Sequence, residues 1–338
     1  MTSVSSGSGV FYYIGGAMDN HKFNSSSIRR PFTETGEQII IQRSRNLMIS
    51  DTTDVRRKIE LGNYYNIFNG YKDIFLDLHM GEEKYLQGTS FEEVYSLFSL
   101  DSELRSLFMK EILGLENSLK SYSARVFSEK YGPYGYLLSR NYDCADDKKL
   151  CDVHNLLTRI QGVISKQLSY KDQMIFHYIS NDGHVPIWVL MNKMTMGELS
   201  KFYSCLHDKE KDAIGKFFGV MRKDLELYLN NLTYFRNVCA HDERFYNFRT
   251  KKPITNTEIH DKLNLPRNCS GNFEKGKTDL FSLLIIIKRL SESASFEIFV
   301  EKLNDALQNF LINLKTVTKE YFLAQMGFPS NWKEIEKI

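Results

Sequence analysis

Within thirteen residues, Phe235 to Asn247, the chain places Arg236, Asn237, His241, Arg244 and a second asparagine, Asn247. An arginine stays cationic at every physiological pH and can hold the non-bridging oxygens of a phosphodiester as negative charge builds on them. A histidine changes charge near neutrality, so it can take up or deliver a proton. Together they suit RNA cleavage that begins when a 2′-hydroxyl attacks the neighbouring phosphorus. A base removes the hydroxyl proton and an acid protonates the departing 5′-oxygen, which leaves a 2′,3′-cyclic phosphate and a 5′-hydroxyl. In this scheme Arg236 and His241 are the catalytic candidates. Asn237 orients the imidazole or the phosphate. Arg244, Asn247, Lys251 and Lys252 follow as candidate RNA contacts.

Helical geometry constrains the set. At about 100° per residue, Asn237, His241 and Arg244 fall on one face, whereas Arg236 and His241, five positions apart, diverge by about 140°. Both can reach one phosphate only if the helix ends or bends near Cys239 to His241, or if a second copy of the chain completes the site. One histidine per chain cannot carry out both proton transfers at once, which favours two chains. An isolated arginine–histidine pair at this spacing arises often by chance. The flanking Asn237, Ala240, Arg244 and Asn247 make this one more specific.

What surrounds the motif is a chain with an ample core. Of 338 residues, 42% are hydrophobic and 25% charged, and 44 basic against 42 acidic residues leave a formal net charge of +2. That balance does not fit a protein coating nucleic acid by charge alone, so any RNA contact must rest on local clusters. Arg29-Arg30, Arg43 with Arg45, Arg56-Arg57-Lys58, Arg222-Lys223, Lys251-Lys252 and Lys275 with Lys277 are such clusters, although each alone reads more simply as a solvated helix face. The five cysteines have neither metal-binding nor disulfide spacing, and Cys239 reads as a small buried residue rather than a nucleophile. No structural metal and no cofactor are expected: the other seven histidines share no helix face at ligand spacing, and no phosphate-binding glycine loop occurs. No apolar run reaches the roughly 18 residues of a spanning helix and no signal peptide is evident, which points to the cytoplasm.

Few prolines and long amphipathic stretches predict an all-α protein. Residues 1–35, rich in Ser and Gly, read as a flexible tail, with Met18 as an alternative start. Residues 36–88 form an N-terminal helical segment, with helices over 37–47 and 51–61 and an aromatic-dense stretch, 63–71, that favours packing over base stacking. Residues 89–338 form the main domain. Thr89 or Ser90 caps its first helix and Asp101 caps a second, which carries Leu104 to Leu119. Helices follow over 148–166 and 169–180. Pro186 sits in the first turn of a new helix, and Thr195 opens another through a capping box. The motif helix spans 224–240, with Leu225, Leu229, Leu232 and Phe235 on one stripe. A long loop covers 251–277 before two more helices at 278–290 and 295–315.

Set beside known families, Arg236-Asn237-x-x-Ala240-His241-x-x-Arg244-x-x-Asn247 resembles the R-x4-H signature of HEPN ribonucleases, in the form found in the Abi-like family (AbiD/AbiF type) of bacterial phage-defence proteins. The likeness runs from about Arg30 to Leu314. It takes in Pro31-Phe32, Asn63-Tyr64-Tyr65, Leu100-Asp101-Ser102-Glu103-Leu104-Arg105 and Ile187-Trp188-Val189-Leu190, with Gly197 to Tyr203, in matching order. The resemblance implies a HEPN-type helical bundle with an N-terminal helical extension and a homodimer. It also implies a metal-independent endoribonuclease of an abortive-infection or toxin–antitoxin system, and association with a small noncoding RNA. It carries the catalytic pair onto Arg236 and His241 with Asn237 as companion. It further suggests that Glu116 holds Arg236 from the opposite helix, against the simpler reading of a solvated Glu116–Lys120 pair. Two alternatives stay open: a HEPN protein that binds RNA without cutting it, and a protein-interaction subunit of a defence complex.

Overall fold

Ser90 starts the element on which the molecule is built. Its hydroxyl accepts the Glu93 N–H at 3.2 Å and the Glu93 carboxylate accepts the Ser90 N–H at 3.4 Å, a capping box that satisfies two otherwise orphaned donors. The same carboxylate accepts the Lys315 and Thr316 N–H groups at 2.7 and 2.9 Å, so the cap also fastens a segment more than 200 positions away. From it runs one helix of 41 residues, Phe91–Tyr131. The computed structural model describes residues 32–79 and 81–338. The expectations about residues 1–31, including the tail and the start at Met18, lie outside the described residues.

The long helix is α3. Before it come α1 (Thr35–Ser44) and α2 (Thr52–Gly62). After it come α4 (Asp147–Ser169), α5 (Gln173–Asp182), α6 (Ile187–Met191), α7 (Met196–Cys205), α8 (Asp208–Phe217) and α9 (Arg222–Ala240). The chain ends with α10 (Glu258–Lys262), α11 (Leu280–Leu290), α12 (Ser293–Leu311) and α13 (Lys319–Met326). Among the described residues only isolated β-bridges occur outside helices and turns, so the all-helical class is borne out. No described helix is long and apolar enough to cross a membrane.

Two expectations change here. Asp101 does not cap a second helix. It lies fully buried within α3, between Leu100 and Leu104. The apolar stripe Leu97, Leu100, Leu104, Phe108 and Ile112 keeps helical phase through it, and no proline interrupts the run. The 251–277 stretch is not a plain loop either. It holds α10 and buries Ile254, Ile259, Leu263, Leu265 and Phe273, whose spacing is irregular because they pack from turns rather than from one helix. The aromatic stretch packs as expected: Ile67, Phe68 and Tyr71 are buried in and beside a single π-helical turn.

The motif helix α9 lies against α3, α7, α8 and α11. It buries Leu225, Leu229, Leu232, Phe235 and Val238, a stripe at intervals of three and four that fixes which side chains face outward. A single hydrophobic cluster joins α1 at Ile39 to Ile335 near the C-terminus, so the N-terminal elements share their core with the helices that carry the motif.

Candidate active site

Arg236 leaves α9 on the side that meets α3. Its Nε lies 4.0 Å from Glu116 Oε2, and both atoms are buried without a hydrogen-bond partner in the protein. The other oxygen of Glu116 accepts Lys120 Nζ at 2.6 Å. Glu116 and Lys120 are themselves buried, so the solvated pair anticipated from their i,i+4 spacing is a packed one, and Glu116 also faces the arginine. Two cations share one carboxylate, which leaves the cluster with surplus positive charge. The Arg236 side chain keeps 30% of its surface exposed although its Nε is covered. A guanidinium with a carboxylate near its Nε and part of its surface exposed is suited to bind an anion.

His241 sits at the end of the same helix. Its N–H donates to Asn237 O at 3.0 Å and its backbone stays near-helical at φ −99°, ψ 8°, so α9 reaches His241 without a bend. The divergence of about 140° from Arg236 therefore stands. Asn237 and His241, four apart, are both exposed and share a face. Within one chain, then, Arg236 faces the Glu116–Lys120 cluster and the imidazole faces solvent.

The chain then turns sharply. Asp242 takes the left-handed conformation (φ 55°) and the Glu243 N–H returns to Val238 O at 3.2 Å, a helix stop usually made with glycine. Side chains from α3 hold this non-glycine stop. Arg105 pairs with the Asp242 carboxylate and donates to Glu243 O at 3.2 Å. Asp101 accepts Arg105 Nη1 at 2.5 Å, Tyr71 Oη at 2.7 Å, the Phe245 N–H at 3.0 Å and the Tyr246 N–H at 2.6 Å. This buried clamp fixes the segment that ends α9 and so seats His241. Sequence reasoning placed Asp101 at a helix start and missed its role. The available signal was an Asp and an Arg at i,i+4 spacing inside an apolar stripe, where charge needs a partner.

The stop also corrects the expected alignment of Asn237, His241 and Arg244, which assumed a helix continuing past Ala240. Arg244 lies beyond the turn and donates to Gly70 O at 2.9 Å and to Asp73 Oδ2 at 2.7 Å, tying the motif to the N-terminal elements. Asn247 is half-buried after Tyr246, and Lys251 and Lys252 are exposed. Of these, Lys252 reaches a groove that Asn230, Thr233 and Tyr234 of α9 also line. Burial pushes the Cys239 thiol up to about 12, which keeps it protonated and unreactive near neutrality. Several of the other basic clusters are ion-paired, as in Arg45–Glu83, Lys58–Asp54 and Arg222–Asp212. Among the described residues no three His, Cys, Asp or Glu side chains group so as to hold a metal ion.

The helix that carries Arg236, Asn237 and His241 and the α3 segment that clamps it both fall within residues 57–247, the stretch over which the chain matches the model of the Abi-like protein family. The chain belongs to the Abi-like protein family. The match takes in more than half of the chain and closes at Asn247, the last residue of the motif, a narrower span than the likeness from Arg30 to Leu314. No curated protein and no solved structure matches the chain. Membership suggests that this Abi-like protein takes part in abortive-infection defence against phage.

Proposed function

We propose that this Abi-like protein is a phage-defence endoribonuclease, built on a HEPN-type bundle and working as a homodimer. The observation that carries this reading is the state of Arg236. Its Nε is held beside the buried Glu116, its outer surface is open, and the exposed His241 stands on the same unbroken helix. Buried guanidinium nitrogens are usually hydrogen-bonded, but Arg289 Nε is unpartnered as well, so what supports the reading is the combination of the partly exposed Arg236, the buried carboxylate beside it and the exposed His241 five positions on.

In the proposed reaction the 2′-oxygen forms a bond to phosphorus as the bond from phosphorus to the 5′-oxygen breaks. One His241 accepts the 2′-hydroxyl proton and a second supplies a proton to the 5′-oxygen. Arg236 carries the negative charge that grows on the non-bridging oxygens. Such a preorganised cation contributes about 100- to 1,000-fold in rate where a single donor has been removed from comparable sites. Asn237, on the imidazole's own face, holds the ring or the substrate. Because α9 reaches His241 unbent, the two groups of one chain diverge, and a twofold mate supplies the complement. Glu116 fixes the guanidinium, and a small noncoding RNA is the proposed partner that restrains or assembles the protein.

The test is incubation of end-labelled single-stranded RNA with purified protein in the presence of a chelator. Wild-type protein should give fragments ending in 2′,3′-cyclic phosphate, with Arg236→Ala and His241→Ala each at least about 100-fold slower. Intact RNA that nonetheless binds the wild type would replace cleavage with the binding-only reading. Sequencing of co-purified RNA tests the noncoding partner.

A further inference from the structure

The groove beside the motif helix has no part in the reaction so far. It lies between α4, α7 and α9, has a volume of about 780 Å³, and is lined by Lys148, Arg159, Lys201, Asn230, Tyr234 and Lys252 among others. On α9 the positions 230, 234, 237 and 241 follow one another at intervals of four, three and four. At about 100° per residue they stay within about 60° of one another, so the groove and His241 share one line along the helix. From Asn230 to His241 that line is roughly 16 Å long, enough for a few nucleotides.

The charges in the groove favour an anionic strand. Lys149 pairs with Asp143 and Lys201 with Asp152, each at 2.6 Å, which neutralises two of the lining acids. Asp146 caps α4 through the Lys149 N–H at 2.8 Å. Lys148, Arg159 and Lys252 are exposed and belong to none of the ion pairs among the described residues, against two lining acids, Asp146 and Glu226, that have no ion-pair partner there either, so the lining keeps an excess of basic groups. Tyr234, 38% exposed, lines the groove, and an aromatic side chain there can stack on any unpaired base.

We propose that this groove seats the single-stranded RNA next to the scissile phosphate, with a base on Tyr234 and phosphates on Lys148, Arg159 and Lys252. It rests on the ribonuclease reading for its substrate but on separate residues for its contacts. A duplex cannot stack a base on Tyr234 without being opened, so the strand is single.

The test uses the full chain carrying His241→Ala, a fluorescein-labelled oligouridine and a duplex of the same length, with anisotropy read over a range of salt. The single strand should bind more tightly than the duplex. Adding Arg159→Ala and Lys252→Ala together should weaken it about tenfold or more and reduce the salt slope by about 1.4, the share of two phosphate contacts on a single strand. Tyr234→Ala should weaken it about five- to a hundredfold while Tyr234→Phe leaves it near the parent value. Circular dichroism confirms that each variant is folded. The proposal is overturned if the His241→Ala protein does not bind the oligouridine, if the duplex binds better, or if the groove variants bind as the parent does. Failure here is separable from failure of the nuclease reading. Groove-dependent binding with no cleavage by the wild type keeps the groove and removes the nuclease. Cleavage with unchanged KM in groove variants does the reverse.

Discussion

Replacing Asp101 by alanine should show how much of the site is held from behind. The carboxylate is fully buried and accepts four groups at 2.5 to 3.0 Å: Arg105, the Tyr71 hydroxyl and the N–H groups of Phe245 and Tyr246. Removing one partner of a buried ion pair costs about 3–5 kcal/mol. The low end applies, because Arg105 keeps Asp242 and the Glu243 carbonyl. Two backbone N–H groups left without an acceptor add about 1 kcal/mol each at least, for a total near 5 kcal/mol. That is a large part of the roughly 5–15 kcal/mol that holds most domains folded, and at about 2 °C per kcal/mol it corresponds to a melting point lower by about 10 °C. Asp101→Asn keeps the shape and one acceptor oxygen and should cost about 2 kcal/mol. Urea unfolding of Asp101→Ala, Arg105→Ala and the double variant is the assay. The double variant should fall short of additivity by about 2 kcal/mol or more. Additive effects, or Asp101→Ala within about 1 kcal/mol of the wild type, would show that the clamp is not a coupled unit and does not seat His241.

Three further outcomes follow from the same geometry. Glu116→Gln removes the one anion shared by Lys120 and Arg236. Cleavage should drop at least about tenfold through kcat, with RNA affinity changed much less, and unchanged kcat would detach Glu116 from the site. Asp279, the buried N-cap of α11, has its carboxyl raised to about 6 by burial. A raised carboxyl binds its proton more tightly in the folded state, so its contribution is full below about pH 4 and is lost as pH rises through about 6. Relative to the wild type, Asp279→Asn should gain about 3 kcal/mol in urea stability between about pH 4 and pH 7, and a flat difference would refute the assignment. Gly327 turns at φ +81°, and a Cβ there would lie 2.2 Å from Asp279 Cγ. Gly327→Ala should therefore lower stability by at least about 2 kcal/mol in the same assay, and a change under about 0.5 kcal/mol would contradict that packing.

Local chemistry was the legible part of this chain. Ser90 with Glu93 and Thr195 with Glu198 announce helix starts because a capping box needs only residues three apart, and both are present. The stripe Leu225, Leu229, Leu232 and Phe235 located the motif helix and its buried side. What escaped depends on partners far along the chain. Asp101 resembles a cap until Tyr71 and Tyr246 close around it. The stop at Asp242 lacks the glycine that would signal it and is held by Arg105 instead. The anchoring of Arg244 was out of view because its partner Asp73 lies 171 positions earlier. The groove beside Tyr234 brings together α4, α7 and Lys252, which no single stretch of sequence displays.

In the proposed site, Arg236 and His241 of two copies meet around one phosphate. Mixing purified Arg236→Ala with purified His241→Ala protein, with time for subunits to exchange, tests it in one tube. Each variant alone should leave labelled RNA nearly intact, and the mixture should cut it to a 2′,3′-cyclic phosphate faster than either variant but well below the wild type, because a mixed dimer returns one arginine and one histidine to its shared cleft and water must serve the second proton transfer. An inert mixture beside an active wild type would contradict a site built from two chains, and a wild type that leaves RNA whole would contradict the nuclease itself.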